Sequence, residues 1–263
     1  MKKICAMAMG IMSFLILCTA CSTRNNAKKN DPFELSQIQS FQDHTVQFSP
    51  FDLSRFTKNG IKPTFVVGSD NCFSAPGDTI ADLNNGSVEI LACKVVKNEF
   101  TLISGLPYSV AHVVVEESLK GDFKEGDALT IIQLGGYLTL QDEIDNFGGE
   151  SRFKDIPEEK WKDTLIEIPY SSGKYPEPGD RYVYFLQLTD NVTPENGENS
   201  AKGAYFPFNS FQGRFIYSEK TNKYARLFEE GCEQPYYEFE GDKHSADEFS
   251  IEYLKAELEK LKD

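Results

Sequence analysis

Residues 108–134 read Tyr-Ser-Val-Ala-His-Val-Val-Val-Glu-Glu-Ser-Leu-Lys-Gly-Asp-Phe-Lys-Glu-Gly-Asp-Ala-Leu-Thr-Ile-Ile-Gln-Leu, and this stretch decides the fold. Val110, Val113, Val114 and Val115 make one arm a β-branched run; Leu129, Ile131 and Ile132 make the other. Between the arms Gly121 reaches φ > 0 at little cost, and Gly126-Asp127 adds a second turn signal. The pattern predicts two antiparallel strands with a hairpin-type connection.

Outward from this hairpin, short apolar runs keep alternating with turn chemistry. Residues 86–96 carry Val88, Ile90, Leu91, Val95 and Val96, a mostly buried strand. Residues 63–68 are a shorter β-branched run, closed by Ser69-Asp70-Asn71, and Gly135-Gly136 ends the second arm. Residues 141–163 are polar, with Gly148-Gly149 and a short helix predicted around 158–162; that length marks an insertion or a functional loop. Pro178-Gly179 turns into Tyr182-Val183-Tyr184-Phe185-Leu186-Gln187-Leu188, the most apolar strand and so a central one. Residues 190–202 read as a surface loop, and 214–217 with 224–228 as a last hairpin through Lys220-Thr221-Asn222. Ser245-Ala246-Asp247-Glu248 has capping-box spacing, which predicts a helix over 244–263. Its stripe of Ile251, Leu254, Leu258 and Leu261 is expected to pack on the barrel wall or an open barrel mouth, with a partner helix as the alternative.

Charge narrows the partners. The 263 residues hold 27 Lys+Arg against 41 Asp+Glu, a net −14 with no clustered basic stripe. A phosphate backbone would be repelled, which argues against nucleic acid. Twenty Phe and twelve Tyr favour strands over disorder. The strands do not alternate with long helices, so a solute-binding lipoprotein of a transporter is disfavoured.

The N-terminus reads as an address. Lys2-Lys3 precede an apolar run over residues 4–17, short of the roughly 20 residues that span a bilayer. Charged head, apolar middle and small residues before a cut site predict a signal peptide over residues 1–20. Ala20 just before Cys21, followed by polar Ser22, resembles the lipobox of bacterial lipoproteins, with Cys18 where that family has Leu. The resemblance implies a diacylglyceryl group on Cys21 and a lipid-anchored protein on the extracytoplasmic face of the cell membrane. The alternative is an ordinary cleaved signal with an incidental cysteine. Residues 21–60 then form a stalk and N-terminal extension, the polar stretch 22–30 being unable to offset its own ordering entropy.

The order of pieces carries a second resemblance. The strand over 88–96, the strand over 108–117, Leu119-Lys120-Gly121-Asp122, Gly126-Asp127, Gln133-Leu134-Gly135-Gly136, Pro178-Gly179-Asp180-Arg181-Tyr182 and Gln212-Gly213-Arg214-Phe215 resemble a family of secreted or lipid-anchored Gram-positive and archaeal proteins. The same order is similar to the netrin-like domain of tissue inhibitors of metalloproteinases. The likeness covers roughly residues 80–230, and Cys93 stands where the family favours Gly. It implies a mainly β fold, an OB-like antiparallel barrel over residues 61–240 followed by the C-terminal helix over 244–263. Protease inhibition does not carry over, because that family's N-terminal cysteine is needed here for lipid.

Three cysteines remain beyond the leader and anchor. Cys93 lies in an apolar strand and reads as a small buried hydrophobe. Cys72 and Cys232 lie in polar surroundings and are the candidate disulfide; it would close a loop of about 160 residues and contribute on the order of 4–5 kcal/mol in the chain-entropy picture. His44, His112 and His244 have no zinc spacing, and Asp142 to Glu150 does not match a calcium loop, so no cofactor is expected. Glu116 and Glu117 are adjacent on a strand and point to opposite faces. Tyr205, Phe206, Phe208 and Phe211 form an aromatic segment that either faces a ligand, a sugar or a peptide, or plugs the barrel's end. The leading expectation is a non-catalytic interaction module with an envelope protein or glycan as partner. The rival is a hydrolase whose carboxylates meet only in the fold. Two converging carboxylates or a Cys–His contact would favour the enzyme, and a barrel filled by side chains the module.

Overall fold

The computed structural model describes residues 48–56, 62–66, 77–169, 175–189, 203–209, 212–226 and 248–262. In chain order these hold β1 (Phe65–Val66), α1 (Ile80–Gly86), β2 (Glu89–Ile103), β3 (Leu106–Lys120), β4 (Ala128–Leu134) and β5 (Gly136–Thr139). Then come α2 (Leu140–Phe147), β6 (Leu165–Ile168), β7 (Arg181–Leu188), β8 (Tyr205–Pro207), β9 (Arg214–Ser218), β10 (Lys223–Arg226), β11 (Glu248–Phe249) and α3 (Ile251–Lys260). The protein is mainly β, with one large sheet, a small second sheet and a C-terminal helix.

The large sheet grows from the β2–β3 hairpin. Ser104 and Gly105 both take positive φ, 51° and 77°, so a two-residue turn joins Ile103 directly to Leu106. Register shifts at Ile90/Leu91, Ala92/Cys93 and Val95/Lys97 coil the long hairpin. The expected β3–β4 hairpin is present, with Gly121 at φ 102° and Gly126 at φ 89°. β7 is central as expected: β2 lies on one edge, and the other edge is shared end to end by β9 and β8. β8 also meets β4 in parallel, through the single pair Ile131↔Tyr205. The pairings β2-β3-β4-β8-β7 thus run round in a ring that is thin at one place, and β9, β10 and β11 extend the sheet beyond β7.

Alternation along these strands separates two cores. Leu91, Cys93, Val113, Ile131, Tyr182 and Tyr184 form a buried cluster drawn from four strands of the ring, with Tyr205 of β8 packed on it. Side chains fill the interior. On the outer face Ala92, Val183, Phe185 and Phe215 pack beneath Leu83 of α1 and Leu254 and Leu258 of α3. The small sheet, β1-β6-β5, packs Leu138 and Ile166 against Leu140 and Ile144 of α2.

Several expectations need correction. The C-terminal helix starts at Ile251, not near 244: Ser250 is its N-cap, accepting from the Tyr253 amide at 3.1 Å. Glu248, expected inside a capping box, instead pairs with Ala225 in β11, while Phe249 pairs with Tyr224 and is buried. Burying a Phe side chain contributes up to about 3 kcal/mol, against about 1 kcal/mol for a cap, so the strand wins. Leu261 is exposed, and the packed stripe is Ile251, Leu254 and Leu258. The strand expected from residue 86 starts at Glu89, because Gly86 closes α1, and Val88 is exposed. The polar stretch 141–163 holds α2 and two 3-10 turns, the second at Glu158–Asp163 where a short helix was expected.

Candidate functional site

Of the residues singled out from sequence, Cys21, Cys72, Cys232 and Phe211 lie outside the described residues, as do His44 and His244. Tyr205 and Phe206 are half-buried on β8. Their rings stand edge-on to Phe123 at 5.6 Å and Tyr108 at 6.1 Å between centroids. Phe208 is 2% exposed in the outer core, which leaves it no surface to offer a ligand. The described part of the aromatic segment is packing.

Cys93 and His112, the described cysteine and histidine, face apart. Cys93 shares the interior with Val113 and Val115, whereas His112, between Ala111 and Val113, points to the other face. Burial pushes the Cys93 thiol well above its ordinary value, so it stays protonated. His112 Nε2 lies 3.1 Å from Glu99 Oε2, and Lys97 meets the other Glu99 oxygen at 2.8 Å. Burial holds the His112 imidazole below its ordinary value despite the Glu99 carboxylate. Glu116 and Glu117 diverge as expected: Glu116 pairs with Arg181 at 2.7 Å and Glu117 with Lys255 at 2.6 Å.

An open groove of about 420 Å³ lies where residues 49–55 cross the end of β2. The Phe51 amide donates to the Phe100 carbonyl at 2.6 Å, and Thr101 Oγ1 donates to the Ser49 carbonyl at 2.8 Å, so this part of the N-terminal extension is docked on the body. Leu102 and Phe51 give the groove an apolar part; Asp52, Arg55, Gln141, Asp142 and Lys162 give it a polar one. Asp52 accepts from the Ser54 hydroxyl at 2.5 Å and the Ser54 amide at 2.9 Å, bonds that hold its carboxyl below its ordinary value. Asp142 is the partner of Thr139 in the cap of α2, accepting from its hydroxyl at 2.6 Å and its amide at 2.9 Å. Arg55 donates to the Lys162 carbonyl across the groove. Both carboxylates are tied down. The arrangement suits hydrogen bonding to a polar ligand better than proton transfer.

Two carboxyls elsewhere are raised, and they sit on different sheets. Glu167 of β6 accepts from the Tyr137 and Tyr175 hydroxyls, yet burial still raises it; the Phe100 ring packs at 4.8 Å and 4.9 Å from the two tyrosine rings. Glu89, 8% exposed at the start of β2, faces the Gly121 turn so closely that a Cβ on Gly121 would sit 1.6 Å from its Oε2. Lys120 beside it donates instead to the carbonyls of Asn84 and Ser87, at 2.6 and 2.7 Å. Burial therefore dominates and raises Glu89. Neither residue was marked by sequence, because a single acidic residue in a strand has no pattern of its own.

Among the described residues no group of three His, Cys, Asp or Glu is placed to hold a metal ion, and no helix is long and apolar enough to cross a membrane. No family model matches the chain, and no curated protein matches it.

Glu89 sets a pH dependence of stability. The folded state holds its proton more tightly than the unfolded chain does. The group therefore favours folding below its ordinary carboxyl value, and that contribution is lost as pH rises through the raised value. Glu89→Gln should melt above the parent at pH 7, with the gain vanishing toward pH 4 in thermal scans across pH. A loss at pH 7 would contradict the sign.

Proposed function

We propose that the chain is a lipid-anchored, extracytoplasmic binding module built on an OB-like barrel, without catalysis of its own. The observation that carries the reading is the filled interior: side chains occupy the space a barrel enzyme or transporter would leave for substrate. The reactive groups considered for a hydrolase are buried, paired or turned to opposite faces.

The OB-like reading draws support from the ring of pairings, from the parallel meeting of β4 and β8, and from the helix α2 between β4 and β7. OB barrels are five-stranded and partly open, and bind ligands beside the loop that joins their first two strands. The groove takes Leu102 from just before the Ser104-Gly105 turn, the corresponding place here.

The partner proposed for this groove is an envelope glycan. Planar polar side chains, Asp52, Arg55 and Gln141, beside the Phe51 ring are the groups that hydrogen-bond vicinal hydroxyls and stack on a sugar face. The membrane is reached through Cys21.

Two expectations follow from this reading. Cys21→Ala should abolish incorporation of a fatty-acid label and release the protein to the medium; continued labelling would contradict the anchor. The released protein should co-sediment with insoluble peptidoglycan, and Arg55→Ala with Gln141→Ala should weaken that binding about tenfold, the loss of one or two modest hydrogen bonds. Equal sedimentation of parent and variant would remove the groove from the account.

A further inference from the structure

The groove is built from two unlike parts of the chain. Leu102, Thr139, Gln141 and Lys162 belong to the folded body, at β2, the end of β5, α2 and the 3-10 turn Glu158–Asp163. Phe51, Asp52 and Arg55 belong to residues 48–56, which precede β1. Bonds within that segment give it a shape of its own. Ser54 donates its amide and hydroxyl to Asp52, and the 3-10 turn Ser54–Phe56 follows. The Phe51 and Phe56 rings stack at 6.4 Å between centroids, and the Arg55 guanidinium lies 4.9 Å over the Phe56 ring.

Contact with the body is of a different kind. The Phe51 amide donates to the Phe100 carbonyl, Thr101 Oγ1 donates to the Ser49 carbonyl, and Arg55 donates to the Lys162 carbonyl. Phe48 rests on the cluster of Ile103, Tyr108 and Ile132. Yet none of residues 48–56 is buried, whereas Thr101 and Ile103 beneath them are 0% exposed. A segment that buries no side chain fully and is held by bonds near the surface opens locally, at a fraction of the cost of global unfolding.

We propose that residues 48–56 dock and undock as one strap, that the groove exists only in the docked state, and that a glycan in it binds cooperatively with the strap. The cooperative part rests on the glycan reading of the groove. A ligand that touches Phe51 and Arg55 as well as Gln141 favours the docked state alone, so its apparent affinity scales with the docked fraction. Thr101 is the positioning residue. It does not line the groove, and it acts on the ligand only through its bond to Ser49, which does.

Hydrogen exchange on the full chain tests the strap first without ligand. The Phe51 amide should exchange by local opening, far faster than the amides of the β2–β3 hairpin and at a rate insensitive to low denaturant. Thr101→Val keeps the side-chain shape and removes the hydroxyl. Protection of the Phe51 amide should then fall about fivefold, the loss of one modest hydrogen bond, while the melting temperature holds or rises. Thr101→Ser should restore the protection. Solubilised peptidoglycan should raise Phe51 protection about tenfold in the parent, and Thr101→Val should bind it roughly two- to fivefold more weakly. Exchange of Phe51 only through global unfolding would overturn the proposal. So would peptidoglycan binding that leaves Phe51 protection unchanged. A parent that opens locally and responds to Thr101→Val, yet binds no peptidoglycan, would overturn the glycan reading and uphold the strap.

Discussion

One seam governs the molecule: β4 and β8 meet through Ile131↔Tyr205 alone, so side chains rather than a backbone ladder complete the closure. Tyr205 packs on Phe123, Phe206 on Tyr108, and Arg214 bonds Gln133 across the gap. β7 holds the segment from the other side. Phe208 donates its amide to the Phe185 carbonyl at 2.7 Å, and Phe185 donates its own to Gly213 at 2.8 Å. Gly213 is required by this arrangement, since a Cβ there would lie 2.6 Å from the Phe208 nitrogen and 2.7 Å from the Phe185 oxygen. Phe208 and Gly213 thus both meet the β7 edge at Phe185, which lets two short strands share one neighbour.

Closure by side chains fixes what each aromatic can do. Phe208 is drawn to the outer core, where its ring fills the space that a side chain at Gly86 would need. Phe185, Phe215 and Phe249 continue that core toward α3. With Tyr205, Phe206 and Phe208 committed to packing, the open groove lies at the rim, where residues 49–55 brace against the end of β2 and the start of α2.

Strands and turns were legible in the sequence because their signals are local. β-branched runs marked β3 and β4, an apolar run marked β7, and Gly121, Gly126 and Gly179 sit at positive φ where the turns were read. Both helices missed, α1 and α2, begin with Thr-x-x-Asp, at Thr79–Asp82 and Thr139–Asp142, and each forms a reciprocal capping box. That spacing was present, but the residues of α1 were given no reading and those of α2 lay at the edge of a stretch read as polar connection. The start of α3 was misplaced for the opposite reason: a capping pattern existed at Ser245, and long-range pairing of Phe249 with Tyr224 overrode it. The groove and the Arg214–Gln133 bond could not be read at all, since each joins residues from distant parts of the chain. Gln133 and Arg214 carry no mark of their meeting until the ring brings them together.

A binding module of this kind needs an interior closed to solvent, and Cys93 reports on that interior directly. Its thiol lies in that interior, fully buried. Alkylation of Cys93 in the native protein, followed residue by residue by peptide mass spectrometry, should proceed only at the rate of global unfolding and accelerate with denaturant in step with it. Labelling of Cys93 under native conditions at a rate independent of denaturant would mean a water-filled barrel, and the binding-module reading would lose its basis.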